Sequence, residues 1–545
     1  MPTFDILIRN ARIVDGTGNP WFRADVAVKA DRIAAVVQPG TIPVENCGEV
    51  VDAGGKVLAP GFIDIQSHSI MPLMTDGRCL SKITQGITTE IMGEAWTPAP
   101  VGGRFLEPLR NSIVGERVPE EWRQRMLTWS RFGDWLDAYI DQGVSPNVGS
   151  FLGGGTTRSY AMDMDMGAPD SDQLETMRRV MAEAMEDGAF GVSYALIYPP
   201  DAYTELDELV EVCKVAGKYG GIYITHMRSE SHEIFQGLEE TFQIAHRANL
   251  PAEIYHLKAA HPEAWWRMAS VIDRITRARD YGLDVTADMY PYVGSGTGLT
   301  AILPTWTAAG GKLYQTLADP EARKRIRAAL EGKVVSDGLG LETRGGPQGI
   351  MPVGFMKPHN QQYVGKRLSE IAEMRGQDWI EAALDILVDE GQRISTIYFS
   401  MDETNLRLQV QQPWIKFSTD AGGVDPAWAK AHGPLHPRAY GTNPRVLAKY
   451  VREERLISLE DAVRKMTSSV ADRLGMRDRG LVREGMFADL IIFDPDTIQD
   501  HATFEDSHQL STGVSEVWVN GTRVLKGGAH TGATPGRFVK GPGAA

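Results

Sequence analysis

Residues 61–70, "GFIDIQSHSI", decide how the rest of the chain is read. A short apolar run closes on Asp64, Ile65, Gln66, Ser67 and His68. The pattern is that of a barrel strand ending in two metal-binding histidines one residue apart, except that Gln66 stands at the first of those positions. Barrel enzymes keep their chemistry at such strand ends.

From Gly61 to about Met476 the same texture recurs. The runs "GITTEIMGE", "GGIYITHM", "PAEIYHLK", "LDVTADMYPY" and "WIKFSTDAG" read as strands and alternate with helical segments. One helix is "SDQLETMRRVMAEAMEDG", with Ser171 or Asp172 expected as its cap and Gly188 as its stop. Strand–helix alternation over several hundred residues points to an α/β protein with a TIM-type (β/α)8 barrel. Residues about 300–395 fit the alternation poorly and are expected to form an insertion over the barrel mouth. Residues 1–60 and 477–545 look different: β-branched runs with turns such as Asn520-Gly521 suggest one small β-sandwich domain made from both termini.

The 545 residues are 42% hydrophobic and 23% charged, ordinary for a globular protein of one large and one smaller domain. A net charge of -15 argues against nucleic acid or an anionic membrane as partner. The first residues carry Asp5 and Arg9 inside their apolar run, unlike a signal peptide. Cys47, Cys79 and Cys213 form no disulfide framework or zinc-knuckle spacing. A cytoplasmic enzyme acting on a small molecule is the expectation, with its oligomeric state unknown.

Polar residues sit just past the ends of the apolar runs: Gln66, His68, Glu94, His226, His256 and Asp420. Imidazole and carboxylate are the normal ligands of zinc, and water bound to such a metal can reach a pKa of about 7. A carboxylate beside that water, such as Asp420, can take its proton and return it to a leaving amine. Each residue also has a plainer reading: a strand-end histidine is commonly structural, and Asp420 could cap a helix at "AGGVDPAW". Three such histidines with an aspartate make coincidence less economical. His232, His246 and His261 fall in helical or loop contexts and are left out.

The chain resembles the D-aminoacylase (N-acyl-D-amino-acid deacylase) branch of the amidohydrolase superfamily. The matching stretches include "LAPGFIDIQSHS", "QGITTEIMGE", "IYPPDAY", "ITHMRSES", "DMYPY", "HPRAYGTNPRVLAKYVRE" and "VRKMTSSVADRLGMRDRGLVREGMFADLIIFDP", and they run from residue 5 to about 495. The resemblance implies a TIM-like barrel, a terminal β-sandwich, one or two zinc ions, and hydrolysis of an amide beside a free carboxylate. Residue by residue, it implies that His226 and His256 hold the tightly bound zinc, that Asp420 is the catalytic aspartate, and that His68 is the second histidine of a His-x-His motif.

Two positions depart. Gln66 replaces the first histidine of that motif, and Ala95 stands where the usual members carry a metal-binding cysteine. Glu94 could supply a carboxylate instead, aimed inward by a bulge; the alternative is a carboxylate that orients a histidine. An amide oxygen is a poorer zinc ligand than imidazole. The expectation is therefore one firm zinc at His226, His256 and Glu94, with a second near Gln66, His68 and Asp420 weak or absent.

On the substrate side, Lys258 faces the same way as His256 along a strand and matches a family lysine that contacts the substrate carboxylate; alternatively it pairs with a barrel acid. Tyr290 and Ser295 could bind that carboxylate or the scissile carbonyl. Tyr198 could line the pocket or polarise the carbonyl, and Arg438 could bind an anion or tie down a loop. The expected activity is zinc-dependent hydrolysis of N-acyl amino acids of D configuration by metal-activated water, with Asp420 as general base and acid. The rivals are the same scaffold acting as a dipeptidase, cyclic amidase or lactonase, and a non-catalytic relative.

Overall fold

The computed structural model describes residues 2–109, 118–332, 346–431 and 433–544. Among these, eight parallel strands run in chain order around a barrel. They are β1 (Phe62–Asp64), β2 (Ile87–Met92), β3 (Asn147–Ser150, continued by Leu152–Gly153), β4 (Gly191–Ala195), β5 (Ile222–His226), β6 (Ala252–Ile254), β7 (Val285–Met289) and β8 (Ile415–Phe417). Each is hydrogen-bonded to the next in parallel register. A parallel bridge between Ser67 and Ala421 joins the ends of β1 and β8 and closes the ring. The strands are almost wholly buried, as parallel strands covered by helices must be.

Local chemistry explains where elements begin and end. The helix Ser171–Asp187 is capped by Asp170, one residue before the expected cap, because its carboxylate accepts from the amides of Asp172 and Gln173. The Gln173 side chain accepts in return from the Asp170 amide, completing a capping box. Gly188 ends the helix at φ 112°, a conformation that favours glycine. Gly191 opens β4 so close to β5 that a Cβ there would lie 1.9 Å from the Ile222 carbonyl.

Both chain ends meet in one nine-stranded sheet. Val57–Pro60 pairs antiparallel with Leu490–Phe493, which leads on to Val514–Val519, Thr522–Lys526 and Ala529–His530. Phe4–Ile13 pairs on one edge with Phe22–Lys29 and on the other with Cys47–Asp52 and then Val57–Pro60, so the sheet forks. Its own core includes Ile8, Val26, Leu58, Leu490 and Trp518. This single forked sheet carries what the sequence reading treats as a sandwich. The last residues then strap across β3: Val148 donates to the Arg537 carbonyl and receives the Val539 amide.

Between β7 and β8 the chain leaves the barrel. Ser295–Gly298, Ser395–Tyr398 and Ile350–Pro352 form an antiparallel three-stranded sheet, backed by helices with a separate core around Ile326, Leu384 and Ile394. Residues 333–345 of the expected insertion lie outside the described residues. Among the described residues, no helix is long and apolar enough to cross a membrane.

Candidate metal centre

The strand ends converge. His226 is the last residue of β5, and His256 follows β6 by two residues at φ 31°. That left-handed backbone is uncommon for histidine; the Asp288 carboxylate holds it by accepting the His256 amide at 2.9 Å. Glu94 follows β2 through Gly93 at φ 103° and precedes Ala95 at φ 58°. A Cβ on Gly93 would lie 2.2 Å from the Phe151 carbonyl, so only glycine makes this turn. The expected bulge is thus a tight left-handed turn, which brings Glu94 inward all the same. Asp420 also sits at positive φ, 49°, with its amide on the Gln66 carbonyl at 2.9 Å.

Glu94 Oε1 lies 3.8 Å from His226 Nδ1 and 3.7 Å from His256 Nε2, and the two imidazole centroids are 4.5 Å apart. Four-coordinate zinc with bonds of about 2.0–2.1 Å separates its ligand atoms by about 3.3–3.4 Å. The two Glu94 separations therefore need only a small contraction to reach that spacing, and the three donors, all within 4.8 Å of one another, are of the right types for zinc. Behind the histidines, Glu230 lies 3.2 Å from both His226 Nε2 and His256 Nδ1. A carboxylate placed there orients each ring so that its other nitrogen faces Glu94.

The second group shares Glu94. His68 Nε2 is 3.3 Å from Glu94 Oε2 and 2.8 Å from Asp420 Oδ1, and the Arg438 guanidinium holds Asp420 Oδ2 at 2.6 Å. Gln66 takes a different part from the expected ligand: its amide nitrogen donates to Glu94 Oε2 at 2.6 Å, and its carbonyl oxygen accepts from Ser418 at 3.3 Å. A carboxylate can only accept, so the nitrogen must face it, and an amide nitrogen offers no lone pair to a cation.

Burial would raise the Glu94 carboxyl, but hydrogen bonds with His226, His256 and His68 hold it well below the usual carboxylate range. Burial and Lys258 depress His256, while Glu230 and Glu94 together carry it up to about 10. Imidazole and carboxylate bind zinc only when deprotonated, so metal binding there is linked to proton release.

The remaining expected residues all line a chamber of about 90 Å³ around these groups, Arg438 excepted; it lines a wider adjoining cavity of about 640 Å³. Lys258 is 2.7 and 2.8 Å from the two Glu230 oxygens, so pairing with a barrel acid is the arrangement found. The Tyr198 ring stands edge-on to His226 at 5.8 Å, and its hydroxyl is 2.5 Å from Thr297 Oγ1. Tyr290 lies beneath the Arg438 guanidinium at 4.6 Å, and Ser295 approaches Ser400 at 3.5 Å. Sequence reasoning missed Glu230, Asp288 and Ser418. Glu230 lay in plain view four residues after His226, but its other partners, His256 and Lys258, meet it only across β5 and β6. Among the described residues, His232, His246 and His261 belong to neither cluster.

A model of the Amidohydrolase family matches residues 365–525. The chain is 33% identical to a D-aminoacylase of Alcaligenes xylosoxydans xylosoxydans over 98% of its own length and 97% of the relative's. It is 32% identical to the N-acyl-D-aspartate deacylase of the same organism, over 98% and 95%. Among solved structures, N-acyl-D-glutamate deacylase from Bordetella bronchiseptica, complexed with zinc and a phosphonate mimic of the tetrahedral intermediate, superposes with a TM-score of 0.80 at 29% identity, covering 99% and 100% of the two chains.

Proposed function

Because the chain belongs to the D-aminoacylase family of amidohydrolases, we propose that it is a zinc-dependent deacylase that hydrolyses the amide of N-acyl-D-amino acids. The observation that carries this reading is the approach of Glu94, His226 and His256 within reach of one ion, with Asp420 beside them. These three side chains would hold a single firm zinc. The second cluster is a weaker competitor, since Arg438 engages one Asp420 oxygen and Gln66 presents a nitrogen.

A zinc ion bound there supplies a Lewis acid for the scissile carbonyl and makes water more acidic. Asp420 takes the proton of the attacking water and returns it to the departing nitrogen. Arg438 and His68 fix the carboxylate for both transfers from opposite sides. Tyr198 would donate to the carbonyl oxygen as charge develops there, and Tyr290 and Ser295 line the chamber that receives the substrate. Lys258 holds Glu230 behind the two histidines. Residues 61–476 would form the catalytic barrel and residues 1–60 with 477–545 the companion β domain.

A panel of N-acetyl-D- and N-acetyl-L-amino acids, a cyclic amide and a lactone tests the reading. Hydrolysis confined to the N-acetyl-D series, lost on chelation and restored by zinc, is expected. Preference for the cyclic amide or the lactone, or inertness with zinc present, would overturn it.

A further inference from the structure

The inner chamber and the outer cavity meet at a few residues, and one of them is a cation with no acid beside it among the described residues. Arg393 lines both spaces. It lies just before Ser395–Tyr398, the insertion strand that runs antiparallel to Ser295–Gly298. Its side chain crosses Gly298, where a Cβ would come within 2.9 Å of Arg393 Cγ and Nε. Glycine at that position leaves the arginine room to lie toward Thr297, whose Oγ1 it reaches at 3.4 Å. Thr297 in turn contacts Tyr198, and Tyr198 contacts the His226 ring.

The neighbouring cations are committed: Lys258 to Glu230 and Arg438 to Asp420. Among the described residues Arg393 has no carboxylate within 4 Å, and its one long hydrogen bond leaves most of its five donors open to the cavity. The chamber meanwhile holds the carboxylates of Glu94, Glu230 and Asp420. An anionic substrate entering it needs an uncommitted cation to offset their repulsion.

We infer that Arg393 receives a carboxylate of the bound N-acyl amino acid through its guanidinium fork. The inference rests on the deacylase reading above. The carboxylate is either the one on the substrate's α-carbon or one on an acidic side chain, and the two differ in which substrates depend on Arg393.

The test is steady-state hydrolysis of N-acetyl-D-leucine and N-acetyl-D-glutamate by the zinc-loaded protein, by Arg393→Met, and by Arg393→Lys, which keeps the charge but not the fork. Loss of the contact should raise KM about tenfold or more with kcat within about threefold, and the lysine variant should fall between. A rise for both substrates assigns the α-carboxylate; a rise for N-acetyl-D-glutamate alone assigns the side chain. Unchanged KM for both, or a fall in kcat alone, overturns the inference. If the unaltered protein hydrolyses neither substrate, the deacylase reading fails separately. Calorimetric titration with D-leucine and D-glutamate, which needs no turnover, then decides: weaker binding to Arg393→Met supports the inference, and equal or absent binding overturns it.

Discussion

A carboxylate ligand has two oxygens, and at Glu94 they face different neighbours. Oε1 is directed to the two histidines, while Oε2 is held by Gln66 and approached by His68. Without the Gln66 donor the carboxylate could rotate and lose its aim, since hydrogen bonds to a ligand fix its orientation as much as the metal does. Gln66→Leu removes the donor at similar size and should weaken zinc binding about ten- to hundredfold in a chelator competition. An unchanged affinity would show that Glu94 is held by its own backbone turn. At this scale the sequence was informative about residue types and silent about partners. Strand-end position flagged His226, His256, Glu94 and Asp420, but whether Gln66 presents oxygen or nitrogen depends on Glu94, and Lys258 meets Glu230 only once β5 and β6 lie side by side.

Six of the eight barrel strands were legible as apolar runs ending in a polar residue. β3 and β4 were not, because "NVGSFLGG" and "GVSYA" are short, interrupted by Gly and Ser, and do not end on a metal-ligand type of residue. Their glycines serve close packing, as the approach of Gly191 to Ile222 shows. The closing seam was hidden as well. Buried Lys82 on the helix Leu80–Ile83 pairs with Asp64 of β1 and Glu90 of β2, and also donates to Thr419 just past β8. Another element-level contact has a pH signature. His436 donates from Nε2 to the Gly294 carbonyl at 2.9 Å and accepts the Arg438 amide on Nδ1 at 3.0 Å, so both nitrogens are used by the neutral ring. Burial and the Arg438 charge hold its pKa well below the usual histidine value. The unfolded chain takes up this proton below about pH 6.5 and the fold does not, so stability is full above that pH and falls as pH drops. The slope reaches about 1.4 kcal/mol per pH unit. Urea midpoints at pH 5 and pH 7.5 should therefore differ more for the native chain than for His436→Gln, and equal differences would contradict the assignment.

For the molecule as a whole, the barrel gathers strand ends from residues 66 to 420 into one mouth, while strands from the two chain ends share one sheet and the last residues strap β3. The strand-rich character of both chain ends was legible because β-branched texture and turn chemistry change there. The joining strands, Val57–Pro60 and Leu490–Phe493, could not be matched from sequence, since antiparallel pairing does not specify a distant partner. The central claim is that these elements converge on one ion between Glu94, His226 and His256. Anomalous diffraction at the zinc edge, from crystals of freshly purified protein, tests it most directly. A single dominant peak among those three side chains is the predicted result; no peak there, or a stronger one between His68 and Asp420, would contradict it.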